Sequence, residues 1–141
     1  MKPRNRNIPL LLLQAREAMM AYFRPALSKY QLTEQQWRIL RALNEKEELE
    51  PHELCQECCI LSPSMAGILK RMSELDLIVK VPSTLDKRRV MVRLAPGIDQ
   101  MVEDILEENR AAYDELVRKV GEEEMRDLVS RVDSMLKRLQ S

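Results

Sequence analysis

Two groups of side chains in this 141-residue sequence have types and spacing suited to chemistry. The first is Asp86-Lys87-Arg88-Arg89, a charged run between two short apolar stretches. Cations clustered on a short polar connection are what a polyanion meets, whatever the charge of the whole chain. The second is His52, Cys55, Cys58 and Cys59. His52, Cys55 and Cys59 recur at intervals of three and four, so one helix face carries an imidazole and two thiols, a spacing that could seat a metal. Tetrahedral zinc would still need a fourth ligand, and no further Asp or His nearby completes a zinc pattern. Oxidation of paired thiols is a related option, although Glu53 and Glu57 disfavour the thiolate that such chemistry needs. Cys59 beside Ile60 reads as a buried small hydrophobe, and three cysteines, an odd count, argue against structural disulfides. Catalysis finds no centre. The chain has one His, no glycine-rich phosphate loop and no Ser-His or paired-carboxylate constellation, so no catalytic residue, metal or cofactor is expected.

Composition bounds what can position these groups. The chain is 45% apolar and 33% charged with five aromatics, nine Met, seven Pro and three Gly. That describes one mainly helical domain with an aliphatic core rather than a β-sandwich, which needs turn glycines and strand aromatics. No apolar run approaches the roughly 18–20 residues that span a bilayer. Lys2, Arg4 and Arg6 before Ile8–Leu13 imitate a secretory leader, but no small-residue cleavage site follows, and the chain reads as cytoplasmic. The zero net charge hides blocks: +6 over residues 1–41, −5 over 42–61, +4 over 62–97 and −5 over 98–141. Such blocks are often only solvated helix faces. Context decides between that and a binding surface.

Periodicity supplies the context. From Ile8, the residues Leu12, Ala15, Met19, Tyr22, Phe23 and Ala26 line one face of a long helix that Pro25 is expected to kink or end. Thr33 with Gln36 forms a capping box that opens a second helix, carried by Trp37, Leu40 and Leu43 to Asn44. Glu45 to Glu50 is expected to be a loop. Pro51 opens a short third helix through about Cys58, and Ser62-Pro63 repeats the device, with Ser62 as cap, for a fourth helix ending near Leu75. The period then turns to alternation in two strands, Ile78–Val81 and Val90–Leu94, joined by Ser83–Arg89 as a protruding hairpin tip. Two long helices follow, the first from Pro96 to Gly121 and the last carrying Met125 to Leu139.

Two helices joined by a few residues and followed by a basic hairpin make a winged helix-turn-helix, whose second helix enters a major groove. The expected DNA-facing residues are Ser62, Ser64, Met65, Gly67, Lys70 and Arg71 on helix four, and Thr84, Asp86, Lys87, Arg88 and Arg89 at the wing. Small residues at the helix start allow close approach, and cations at the tip suit the negative potential of a minor groove. A helical protein-interaction module is the rival reading, and it leaves the charged tip unexplained. A metal or redox sensor using His52, Cys55 and Cys59 stays a second alternative.

Leu32-Thr33-x-x-Gln36-Trp37-x-x-Leu40, Ser64-Met65-Ala66-Gly67-Ile68-Leu69-x-x-Met72 and Asp86-Lys87-Arg88 resemble the helix-two opening, recognition helix and wing of the MarR family of bacterial regulators, over Leu10 to Leu139. The stretches Leu13–Ala18, Tyr22–Pro25 and Leu32–Ile39 are similar to the branch of that family governing homoprotocatechuate and related aromatic-acid catabolism. Leu94-Ala95-Pro96-Gly97 departs from the usual L-T-x-x-G that leads into helix five.

The resemblance implies a single domain over 1–141, with a DNA-binding lobe at 33–95 and dimerisation helices at 8–30 and 97–140. It further implies a homodimeric repressor that binds a pseudopalindromic operator in double-stranded DNA and is released by a small aromatic carboxylate, with no membrane partner. In the wing, it implies that Asp86 orients Arg88 by paired hydrogen bonds. The effector is expected to meet an Arg fork and an apolar wall, drawn from Arg16, Met20, Trp37, Arg41 and His52, with Arg24 a further cation nearby. An interhelical ion pair is the competing role for Arg16, and simple core packing the competing role for Trp37.

Overall fold

The Thr33 capping box forms as its sequence requires. Gln36 N–H donates to Thr33 Oγ1 at 3.1 Å, and Thr33 N–H donates to Gln36 Oε1 at 3.0 Å. Each bond satisfies an amide that a helix start otherwise leaves open. The structure, a computed structural model, describes residues 6–141, so Lys2 and Arg4 of the basic start lie outside the described residues. The elements run α1 (Ile8–Lys29), α2 (Glu34–Lys46), β1 (Glu48–Leu49), α3 (Pro51–Cys58), α4 (Ser62–Glu74), β2 (Ile78–Pro82), β3 (Val90–Leu94), α5 (Ile98–Val120) and α6 (Glu122–Gln140). The mainly helical class with a small β-hairpin is therefore correct.

Three local expectations fail. Pro25 does not end α1, which runs on to Lys29: the proline is exposed, and the buried Leu27 anchors the final turn. The acidic stretch is not a loop: α2 continues to Lys46, and Glu48–Leu49 pair with β3. Finally, Ser62 is the first helical residue of α4 and Leu61 its N-cap, without a side-chain bond to the free amides.

The chain divides into two compact units. The first comprises the residues up to Pro25 together with Glu108–Ser141. In it Leu116 and Met125 are buried, Lys119 Nζ lies 5.9 Å from the Tyr22 ring centroid, and Gly121, at φ +104°, separates α5 from α6. The second unit, Ala26–Glu107, holds an antiparallel sheet of order β1-β3-β2 with helices packed on it. Its centre is Ile39, Leu40, Leu43, Leu54, Leu69, Met72, Val92, Val102 and Ile105, each almost fully buried.

The register is Ile78 opposite Leu94 through Pro82 opposite Val90 on one side of β3, and Glu48 opposite Arg93 on the other. Glu48 and Arg93 also meet through their side chains, Nε and Nη2 each 2.7 Å from Oε2, so a two-residue strand is pinned by a charged cross-strand pair. Asn44 Nδ2 donates to Glu103 Oε1 at 3.0 Å, and Lys46 forms an ion pair with Glu57, tying α2 to α5 and to α3. No helix among the described residues is long and apolar enough to cross a membrane.

Candidate nucleic-acid interface

α4 presents two contrasting faces. Met65, Leu69 and Met72, spaced four and three apart, are buried and fix the helix on the unit's core, while Ser62, Ser64, Gly67, Lys70 and Arg71 are exposed. Met65 was expected among the outward residues. At 2% exposure it supports the helix from beneath instead, because it shares the stripe of Leu69 one turn on. Gly67 has helical backbone, and a Cβ added there would meet nothing within 4 Å. Neither backbone conformation nor packing requires this glycine, although glycine inside a helix is roughly 0.5–1 kcal/mol worse than alanine. A smooth outer surface is what it supplies. Arg71 Nη1 lies 3.6 Å from Glu74 Oε2, leaving its charge at the exposed face.

The wing tip is a fixed turn. Ser83 N–H donates to the Arg89 carbonyl and Arg89 N–H to the Asp86 carbonyl, both at 2.9 Å. Asp86 then holds Arg88 by three bonds: Arg88 N–H to Oδ1 at 3.0 Å, Nε to Oδ1 at 3.2 Å and Nη2 to Oδ2 at 3.3 Å. The paired guanidinium bond expected of these residues is thus present. Arg88 and its backbone amide hold the Asp86 carboxyl below its ordinary range, so the acceptor stays ionised at neutral pH. The Arg88 side chain is nonetheless 92% exposed. A guanidinium aimed outward, with its rotamers narrowed by a carboxylate, is prepared to enter an electronegative groove with little further ordering.

Arg89 behaves differently. Its Nε lies 3.3 Å from Glu50 Oε1, so its fork turns back to the start of α3 instead of standing free at the tip. Glu50, only 14% exposed, also sits 3.5 Å from His52 Nδ1 and gives the wing base a charged tie to the helix-turn-helix. The sequence offered no signal for that role, since Glu50 and Arg89 are far apart in the chain. Thr84 and Lys87 are exposed on the tip.

The cysteines do not form one site. Cys58 is buried, and burial pushes its thiol up to about 11. Cys55 is half-buried, and Cys59 is exposed at the left-handed C-cap of α3, φ 52°. The expectation that Cys59 is the buried one is corrected by that cap, which turns the residue outward and leaves Cys58 on the inner face. Among the described residues no three His, Cys, Asp or Glu are grouped to hold a metal.

Of the expected effector residues, Trp37 is buried on α2. Arg41 is exposed on the same helix, 3.7 Å from Glu45, and His52 is exposed and paired with Glu50. In the other unit Arg16 pairs with Glu17 at 3.4 Å, Glu17 also receives Arg24 at 2.7 Å, and Met20 is half-buried.

The model of the MarR family matches residues 30–89, the stretch from the end of α1 to the wing. Over 119 residues the chain is 40% identical to the HTH-type transcriptional regulator FarR of Neisseria gonorrhoeae, covering 84% of this chain and 82% of that one. The chain belongs to the MarR family. It is a DNA-binding transcriptional regulator with a winged helix, whose wing is the β2–β3 hairpin. It is also 34% identical over 130 residues to the homoprotocatechuate degradative operon repressor of Escherichia coli, covering 92% of this chain and 88% of that one. The crystal structure of NadR in complex with 4-hydroxyphenylacetate superposes with a TM-score of 0.80 at 36% identity, covering 96% of each chain. The MarR resemblance, and within it the likeness to an aromatic-acid repressor, therefore holds over nearly the whole chain.

Proposed function

We propose that this MarR regulator acts in the cytoplasm as a homodimeric repressor of an aromatic-acid catabolic operon and is released by a small aromatic carboxylate such as 4-hydroxyphenylacetate or its 3,4-dihydroxy analogue. The observation that carries the DNA half of the reading is the outward Arg88 held by Asp86 beside a recognition helix with a smooth, polar face. Two relatives, one named for the homoprotocatechuate operon and one bound to 4-hydroxyphenylacetate, support the effector half.

The two recognition helices of the dimer read inverted half-sites about one DNA turn apart, roughly 34 Å. DNA contacts come from Ser62, Ser64, Gly67, Lys70, Arg71, Thr84, Lys87 and Arg88, with Asp86 as a positioning residue. The effector carboxylate is met either by Arg16, with Met20 against the ring, or by Arg41, with Trp37 against the ring and His52 a further polar contact. Release needs the ligand to prefer the state whose helix spacing no longer fits one turn, because equal affinity for both states shifts nothing. The domain assignment that accompanies this reading gives 33–95 to DNA and 8–30 with 97–140 to the dimer.

The test is a gel shift on the DNA upstream of the protein's own gene at two salt concentrations, with and without 3,4-dihydroxyphenylacetate. Salt-steep binding relieved by the acid is the expected result. Binding that ignores the acid but yields to zinc or peroxide would move the sensor to His52, Cys55 and Cys59. Absence of binding would sink the regulator reading for that DNA.

A further inference from the structure

Leu85 occupies the wing tip with 97% of its surface exposed, the most exposed large apolar side chain among the described residues. Every other residue from Ser83 to Arg89 is polar or charged. Single exposed leucines are common on proteins, so exposure alone decides nothing. The turn that carries it does. Leu85 N–H donates to Ser83 Oγ at 3.2 Å, Asp86 N–H reaches the same oxygen at 3.4 Å, and the Ser83–Arg89 and Arg89–Asp86 backbone bonds close the loop below. The leucine thus stands on a hydrogen-bonded turn, directly before the residue that fixes Arg88. The fold gains no packing from it, and one rigid display presents an apolar group and a guanidinium together.

We infer that Leu85 is an apolar contact to the DNA minor groove, packing against the deoxyribose faces of its wall while Arg88 occupies the groove. This rests on the DNA-binding reading and adds a residue to it. The occupant follows from the charge around the leucine: Lys87 and Arg88 commit the tip to a polyanion, and the apolar surfaces that a minor groove offers are the C–H faces of its sugars. Apolar side chains do enter minor grooves in other folds.

The test uses the full-length protein and a duplex that the wild type selects from a random library, with fluorescence anisotropy at four salt concentrations. Leu85→Ser is expected to weaken binding about tenfold with an unchanged salt slope, because no cation–phosphate contact is removed. Leu85→Met should restore affinity to within about twofold, as a volume-conserving apolar replacement. Arg88→Ala should lower both affinity and slope. Thermal unfolding should not distinguish the leucine variants from wild type, since the side chain packs on nothing. Leu85→Ser binding within about twofold of wild type at every salt would overturn the inference. So would a loss accompanied by a shallower slope, which would mean that the leucine acts by arranging its cationic neighbours. A wild type that selects no duplex would remove the DNA reading itself, a distinguishable failure.

Discussion

The two units of the chain treat their apolar residues in opposite ways. Among the described residues, eighteen of the twenty buried apolar side chains belong to Ala26–Glu107, and only Leu116 and Met125 to the other unit. The exposed large apolar residues divide the other way: eleven, from Ile8 and Leu10–Leu13 through Tyr113 and Val120 to Leu128, Val129, Leu136 and Leu139, lie in the helical unit, and five in the winged helix. One unit has closed its core within the chain. The other leaves most of its large apolar side chains exposed on its helices, and a second copy is the proposed cover.

The comparison breaks first if the exposed helical stripe can be charged without consequence. Leu128→Glu together with Leu136→Glu should give a monomer in sedimentation, and operator affinity should fall by roughly 10²–10⁴-fold as bivalent engagement is lost. An unchanged dimer would remove the stripe's assigned role. Leu40→Ala probes the closed core: it should cost about 2–5 kcal/mol in urea unfolding.

A smaller effect sharpens the contrast between a wing built for rigidity and a helix surface built for approach. Asp86→Asn removes a negative charge from a DNA-facing tip and should still weaken operator binding about tenfold, a cost within the range of one well-placed charged hydrogen-bond pair. A carboxyl titration by NMR should place Asp86 below 3.8, its ordinary value, and Arg88→Ala should raise it part of the way back, because the residue-88 backbone amide and the Arg89 charge still act on it. The sign follows from the lowered value: the Asp86–Arg88 bond steadies the tip at every pH above 3.8 and is lost only as pH falls below it, so DNA binding should not change between pH 8 and 5 on its account.

Gly67→Ala should raise stability by roughly 0.5–1 kcal/mol in the same unfolding assay while weakening DNA binding severalfold. Stabilisation with undiminished binding would show that the smooth surface serves no approach. The smallest effect is chemical. Iodoacetamide should label Cys59 in the folded protein and spare Cys58 until urea unfolds it, as burial and a thiol near 11 require.

Local pattern made much of this protein legible. The capping box at Thr33, Pro51 at the start of α3, the stripe of Met65, Leu69 and Met72, and the change to alternation at Ile78 depend on residues within one or two turns of each other, so the sequence determined these helices, the hairpin and its charged tip. The Asp86–Arg88 bond is equally local, and the family resemblance implied it.

Tertiary structure decided the rest. Glu48–Leu49 are a strand only because β3 supplies partners more than forty residues away, and no two-residue segment carries a period. Arg89 turns back because Glu50, nearly buried at the start of α3, is brought beneath the wing. Which of Cys58 and Cys59 is buried depended on a left-handed cap that adjacent cysteines do not announce. In the first two cases a contact between distant residues set the outcome: sequence period reports faces within one element, whereas packing and long-range charge pairing choose between residues that local propensity treats alike.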